Sequence, residues 1–330
     1  RQCLSPTHPH TTLLSSLTFP PHFPAKMTRS HLCLLCLLLS LVNLAASQDD
    51  ATIMQSLKST LHLTPDVDWS NPDPCKWVAV QCDGSNRVTR IQLKQKGISG
   101  TLPLDLQKLS ELIVLEFFSN KISGPVPDLS GLTHLQRLNL HDNLFDSTPK
   151  NLFSGMNSLQ EAYLDNNPFA SWEIPETVKE ATSLKNLSLV NCNLTANAFS
   201  GPIPDLSGLQ SLRLFNLREN QLTGLVPPSF TGLKSLTVVN LTNNCFQGPT
   251  PLFKNSLTSL ETINLSNNQL TGSIPTELTS LPRLRTLDVS NNDIHGDVPK
   301  FRASVSVVTT GNVNIGRVSP TSWKSFRNRI

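Results

Sequence analysis

Residues 260–275 read LETINLSNNQLTGSIP and fit the pattern L-x-x-L-x-L-x-x-N-x-L-x-G-x-I-P at nearly every defined position. The same register restarts at Val88, Leu112, Leu135, Leu159, Leu184, Leu212, Leu236, Leu260 and Leu284. Successive starts are 24, 23, 24, 25, 28, 24, 24 and 24 residues apart. A period in this range means that one small unit is repeated, and each unit buries its apolar side only by stacking on the next. The chain is thereby constrained to a solenoid that grows as one body.

Each unit has its own physical logic. The segment x-x-L-x-L-x-x predicts a short parallel strand with its leucines turned inward. Stacked strands lie about 4.8 Å apart, so nine repeats predict a concave strip of roughly 40 Å. The recurrent asparagine falls on Asn120, Asn143, Asn167, Asn220, Asn244, Asn268 and Asn292. A buried amide there satisfies backbone groups where the chain leaves the strand, which predicts a structural ladder. Two repeats deviate: Cys192 replaces the ladder asparagine inside the 28-residue interval, and Cys245 follows Asn244. Two stacked repeats hold these cysteines roughly 10 Å apart, beyond the Cα reach of about 7 Å for a disulfide. Both are expected to be free and largely buried.

Residues 1–26 show no periodicity, precede Met27, and read as translated leader. From Met27 a basic start leads into the apolar run Leu32–Val42, and Ala45-Ala46-Ser47 then precede a polar stretch. That pattern predicts a secretory signal over 27–47, with cleavage after Ser47. Residues 48–87 are expected to cap the first repeat. Ile53, Met54, Leu57 and Leu61 make one helical stripe, with Asp49 or Asp50 available as N-cap. WSNPDPCKWVAVQC (69–82) adds Trp69, Trp77 and a Cys75–Cys82 bridge, while a zinc site is the competing reading of the two cysteines.

The cap and repeats resemble the ectodomain of a plant leucine-rich-repeat receptor-like kinase. The stretches DPCKW, RVTRIQLKQKGISGTLP and YLDNNPFASWEIPE are similar to the transmembrane kinase (TMK) family, and the similarity spans about 49–318. The resemblance implies an α/β solenoid, a plant-type leucine-rich-repeat superhelix over 88–300. A largely irregular tail is expected over 301–330. It also implies a parent receptor with one membrane span and a cytoplasmic Ser/Thr kinase, tied to auxin-linked growth signalling. Kinase phosphate-loop, HRD and DFG motifs do not occur in this sequence. TMK-type ectodomains carry a cysteine-containing island between two repeat blocks. Here PTPLFKNS (249–256) runs straight into LTSLETINL.

Charge narrows the function classes. The net charge of +3 comes from 27 basic and 24 acidic residues. Three of the basic ones, Arg1, Lys26 and Arg29, precede Asp49, so the rest of the chain is balanced. A basic footprint for nucleic acid is missing. The histidines lack metal-ligand spacing, and nothing in the sequence juxtaposes an activated nucleophile. No cofactor, metal or catalytic residue is expected.

Recognition is then the expected use of the concave strip, through an extracellular protein, peptide or small-molecule ligand and a co-receptor. The candidate contact residues are Glu116, Phe118, Arg137, His141, Tyr163 and Asp165, with Arg218 two repeats further on. Aromatic groups beside charges are what interface hot spots favour. Four sequons, at Asn186, Asn193, Asn240 and Asn264, are candidates for N-glycosylation. Glycans on Asn186, Asn240 and Asn264 would shield the C-terminal concave face. The expected setting is the secretory pathway, with the parent at the plasma membrane. The alternatives are a soluble decoy or a secreted polygalacturonase-inhibitor-type protein. The latter usually closes its C-terminal end with cysteines, and none follows Cys245.

Overall fold

Leucines at strand spacing and asparagines at turn positions build one continuous stack. The computed structural model describes residues 49–170, 173–190, 202–253 and 256–316. The chain divides into two compact units, 1–43 and 44–330, and everything below concerns the second. The leader, the signal segment, Cys192, Asn193 and the residues after 316 lie outside the described residues.

The main sheet has eleven strands. Nine of them are the nine expected repeats, from Val88–Gln92 to Thr286–Asp288, paired in parallel and in register. Their inward residues, such as Leu115, Leu138, Leu187, Phe215, Ile263 and Leu287, are fully buried. Each contributes about 1.5–3 kcal/mol by leaving water. The strands Val238–Asn240 and Thr262–Asn264 pair directly, so the repeats on either side of residues 249–256 stack without an insert. On the convex side the described return segments are short 3-10 turns, among them Leu106–Lys108, Glu176–Glu180, Pro228–Gly232 and Thr276–Ser280.

All seven predicted ladder asparagines donate to carbonyls of their own and a preceding turn, and among the described residues all but Asn220 also accept a backbone N–H. Asn143 Nδ2 donates to the Leu140 carbonyl (3.1 Å) in its own turn and the Phe117 carbonyl (2.9 Å) in the preceding one. Its Oδ1 accepts from the Ile122 N–H at 3.1 Å. Asn268 repeats this with Leu265 and Leu241, at 3.0 and 2.9 Å. The residue before each ladder asparagine is left-handed, as is Gln95 at the equivalent place before Lys96 in the first repeat: φ is +53° to +60° at Gln95, Ser119, Asp142, Asn166, Glu219, Asn243, Asn267 and Asn291.

The stack continues past its expected end. Ser306–Val308 adds another parallel strand, and Asn312 donates to the Val289 carbonyl (2.9 Å) as an eighth ladder amide. The expected irregular tail is therefore corrected over 301–316. Arg302 secures this turn by donating to the Pro282 and Leu281 carbonyls at 2.9 and 2.8 Å. The shorter side-chain spacing (Asn292 to Asn312 is 20 residues, not 24) hid the unit from a search for the full pattern.

The cap is built as expected in outline. Residues 49–60 are helical, with Met54 and Leu57 fully buried. Trp69 and Trp77 stack at 4.5 Å, and Cys75–Cys82 are disulfide-bonded with Cα atoms 5.5 Å apart, which settles the zinc alternative. Such a short bridge adds about 2–3 kcal/mol by restricting the unfolded chain. Asp50 is not a simple N-cap. It is 1 % exposed and accepts from Arg87 Nε and Nη2 (both 3.0 Å) and from the Val88 N–H (2.8 Å), clamping the helix to the first repeat. Gly100, at φ +107°, lets a lateral strand approach that helix, because a Cβ there would strike the Thr60 carbonyl.

Candidate ligand-recognition face

The parallel register turns sequence spacing into columns. Strand pairing lines up Arg90, Val114, Arg137, Glu161 and Asn186, and beside them Gln92, Glu116, Asn139, Tyr163 and Ser188. Two connected groups of side chains result.

The first is ionic. Arg137 Nε donates to Glu161 Oε2 at 2.6 Å, and its Nη1 lies 3.4 Å from Glu116 Oε1. Gln92 Nε2 donates to Glu116 Oε2 at 2.8 Å. Glu116 is only 5 % exposed, so the expectation that it meets a partner is corrected. It is the floor that holds Arg137 in place. The Glu161 hydrogen bond, chiefly, raises the Arg137 pKa further above its ordinary value. Tyr163 stands at the edge of this group, on the strand that pairs with Asn186–Ser188. Burial pushes its phenol pKa up, and Glu161 adds to the shift.

The second group is aromatic. Phe118 and His141 stack at 4.7 Å with planes 20° apart, and Lys94 Nζ lies 5.9 Å from the Phe118 ring centre. Such pairs contribute about 0.5–1.5 kcal/mol beyond area burial and, more usefully here, fix ring orientation. His141 Nδ1 is 2.8 Å from Asp142 Oδ2, which also accepts from Ser119 Oγ at 3.2 Å. Asn166 Nδ2 donates to the other Asp142 oxygen. Burial works to raise the Asp142 pKa, but the Asn166, His141 and Ser119 hydrogen bonds prevail and bring it below the ordinary carboxylate range. Next in the column, Asp165 accepts from Ser188 Oγ (2.8 Å) and the Val190 N–H. There burial prevails and the carboxyl is pushed up.

Of the candidate residues, Phe118, Arg137, His141, Tyr163 and Asp165 are thus brought onto neighbouring strands. Arg218 is not: it pairs with adjacent Glu219, and the strand Asn186–Ser188 separates its strand from that of Tyr163. Reading the sequence missed Lys94, Asp142 and Glu161. Asp142 and Ser119 occupy the left-handed position before the ladder asparagine, a signal that was available in the repeat pattern.

The C-terminal half of the same face is made differently. The column continuing that of Gln92, Glu116, Asn139, Tyr163 and Ser188 is Asn216, Asn240, Asn264 and Asp288. Each accepts, through its side chain, the N–H two residues on: Arg218, Thr242, Ser266 and Ser290, at 3.4, 3.2, 3.2 and 2.9 Å. The two sequon asparagines therefore use Oδ1 locally. Asn186 is different, lying in register with Glu161 at the edge of the ionic group. Cys245 is a free thiol as expected, but half-buried rather than buried, in the lateral strand Cys245–Pro249.

Comparison with known proteins agrees with this architecture. Family models for "Leucine Rich repeats (2 copies)" and "Leucine Rich Repeat" match residues 258–300 and 211–233. Receptor-like kinase TMK2 of Arabidopsis thaliana is 38% identical over 276 residues, covering 62% of this chain and 31% of TMK2. The chain thus spans about a third of that relative's length. Among solved structures, PEPR1–AtPEP1 is similar with TM-score 0.65 and 27% identity, over 79% of this chain and 41% of that one. The Arabidopsis HAESA ectodomain with an N-terminally extended IDA peptide hormone gives 0.58 and 27%, over 82% and 48%. No helix among the described residues is long and apolar enough to cross a membrane. By repeat register, disulfide-bonded cap and fold together, the chain is a plant-type leucine-rich-repeat solenoid similar to the ectodomains of receptor-like kinases, TMK receptors among them.

Proposed function

We propose that this solenoid is the extracellular recognition module of a receptor-like Ser/Thr kinase and that it binds its ligand or co-receptor on the N-terminal half of the concave face. The observation that carries this is the pre-ordered patch of Phe118, His141, Arg137 and Tyr163, held by Asp142, Glu116 and Glu161. Side chains already fixed before contact lose little entropy on binding. The relatives are receptor kinases, and similar solved ectodomains hold peptide ligands. The role of this part is binding rather than catalysis. Its setting is the outer face of the plasma membrane.

Asn240 and Asn264 are proposed to carry the glycans, on the half of the face away from the patch. A glycan on Asn186 would cover Tyr163. Peptide mapping of the secreted protein tests this directly, and occupancy at Asn186 with bare Asn240 and Asn264 would count against the placement. The binding reading is tested by capturing the partner of the full-length receptor with wild-type and Phe118→Ala, Tyr163→Ala ectodomains. Truncating such anchors costs about 2 kcal/mol each, or some thirtyfold in affinity. Unchanged capture would remove the patch from consideration.

A further inference from the structure

Several charged side chains of the concave face are matched within the chain. Of the cations at its outward strand positions, Arg137 is held by Glu116 and Glu161, His141 by Asp142, and Arg218 by Glu219. Arg90 and Lys94 share the first repeat, in or just after its strand, and among the described residues neither has a carboxylate within 4.0 Å; Lys185 and Arg213, each one residue before a later strand, also lack one, and Lys185 instead donates to Gln160 at 2.8 Å. Lys94 is not loosely solvated, since its ammonium sits over the Phe118 ring. Gln92, between them, is already committed to Glu116. Two unmatched cations thus flank a neutral, fixed centre.

We infer that this first-strand rim binds an acidic polypeptide segment, with Arg90 and Lys94 each taking one carboxylate of the partner. The inference rests on the recognition role proposed above and names the chemistry of its partner. Four residues of strand-like chain separate the two cations by roughly 13 Å. An extended partner presents the side chains of residues i and i+4 on one face at the same spacing. The rim therefore selects carboxylates at i and i+4 of an extended segment. Arg90 offers a planar fork suited to a carboxylate, and Lys94 offers a point charge steered by the aromatic ring. The neighbouring carboxylates, Glu161, Asp142 and Asp165, would repel acidic groups placed further along the face, so the acidic end of the partner is directed to the N-terminal rim.

The test uses the secreted protein and a ten-residue Thr/Val-rich peptide, whose β-branched residues favour an extended chain, bearing glutamates at its third and seventh positions, at low ionic strength. Arg90→Gln and Lys94→Gln should each weaken binding about threefold, and high salt should abolish it, as for exposed charge pairs. The controls Lys121→Gln and Lys150→Gln, on other faces, should leave it unchanged. A peptide with glutamine in place of glutamate should not bind. Equal loss in the controls, equal binding of the glutamine peptide, or preference for an oligogalacturonide over the peptide would overturn the inference. Failure of the underlying reading looks different. If Phe118→Ala disrupts capture of the natural partner while Arg90→Gln and Lys94→Gln do not, the patch stands and the acidic partner falls. If none of the three matters, both fall.

Discussion

The two halves of the concave face are built on one scaffold and put to different uses. From Val88 to Tyr163 the outward positions carry long, charged or aromatic groups that meet across strands: Gln92 bonds Glu116, Arg137 bonds Glu161, and Phe118 stacks on His141. From Asn216 to Ser290 one column carries Asn and Asp groups that accept the N–H two residues along their own strand, alongside cross-strand contacts such as Arg285 to Glu261 and Ser266 to Thr242. Cross-strand bonding makes a surface of fixed, protruding groups, which a partner can read. Local bonding makes a flatter one, whose polar atoms are largely spent on their own backbone. The difference does not arise in the core, because both halves share fully buried strand residues and the same amide ladder.

The comparison can be tested from the scaffold outward. The largest effect belongs to the cap. Asp50→Ala leaves Arg87 with only the longer carboxylate contact, to Glu111 (3.8 Å), and loss of one partner from a buried pair costs about 3–5 kcal/mol. Urea unfolding should show it, and a cost below 1 kcal/mol would mean that the cap does not hold the first repeat. Next come the ladders. Asn143→Ala and Asn268→Ala each strand several backbone groups, and each should lose about 2–4 kcal/mol. Similar values in the two halves would support a shared scaffold. A large inequality would break the comparison.

Smaller effects separate the faces. Arg137→Met leaves buried Glu116 with only Gln92, and is expected to lower stability by about 1–3 kcal/mol as well as weakening partner capture. No single outward residue of the C-terminal half should do both. Two carboxylates of the N-terminal half, Asp165 and Asp142, should respond to pH in opposite directions. Asp165 has a raised folded pKa, so in the window from its unfolded value of 3.8 up to that folded value the native state holds more protons. Its contribution therefore grows as pH falls through the folded pKa. Asp142, with a lowered folded pKa, contributes above 3.8 and loses that contribution as pH falls through the folded value. Asp165→Asn should be relatively more stable near neutrality, with the advantage shrinking toward pH 4. Asp142→Asn should be relatively less stable near neutrality. Comparing thermal midpoints at pH 4 and pH 7 checks both signs. The smallest effect is at the left-handed turn, where the C-terminal half already uses Asn243, Asn267 and Asn291. Gln95→Asn should stabilise by about 0.5 kcal/mol, since asparagine adopts this backbone conformation at less cost.

Much of this architecture is legible in the sequence because a solenoid is a local code. A 24-residue period, inward leucines and a turn asparagine determine the strand, the ladder and the columns, and stacking adds no new topology. The Trp69, Trp77, Cys75 and Cys82 cluster was equally readable, since an end repeat cannot leave its apolar section open to water. Tertiary structure decided what periodicity does not encode. It turned Asp50 from an N-cap into a clamp on Arg87, and added a turn at Ser306–Val308 where the spacing shortens. It also chose among outward residues that the pattern treats alike, burying Glu116 beneath Arg137 and parting Arg218 from the patch. The physical reason is that inward positions answer to burial, which composition reveals. Outward positions answer to neighbours about 4.8 Å away on the next strand, some 24 residues distant in the chain, and only the folded register brings those together.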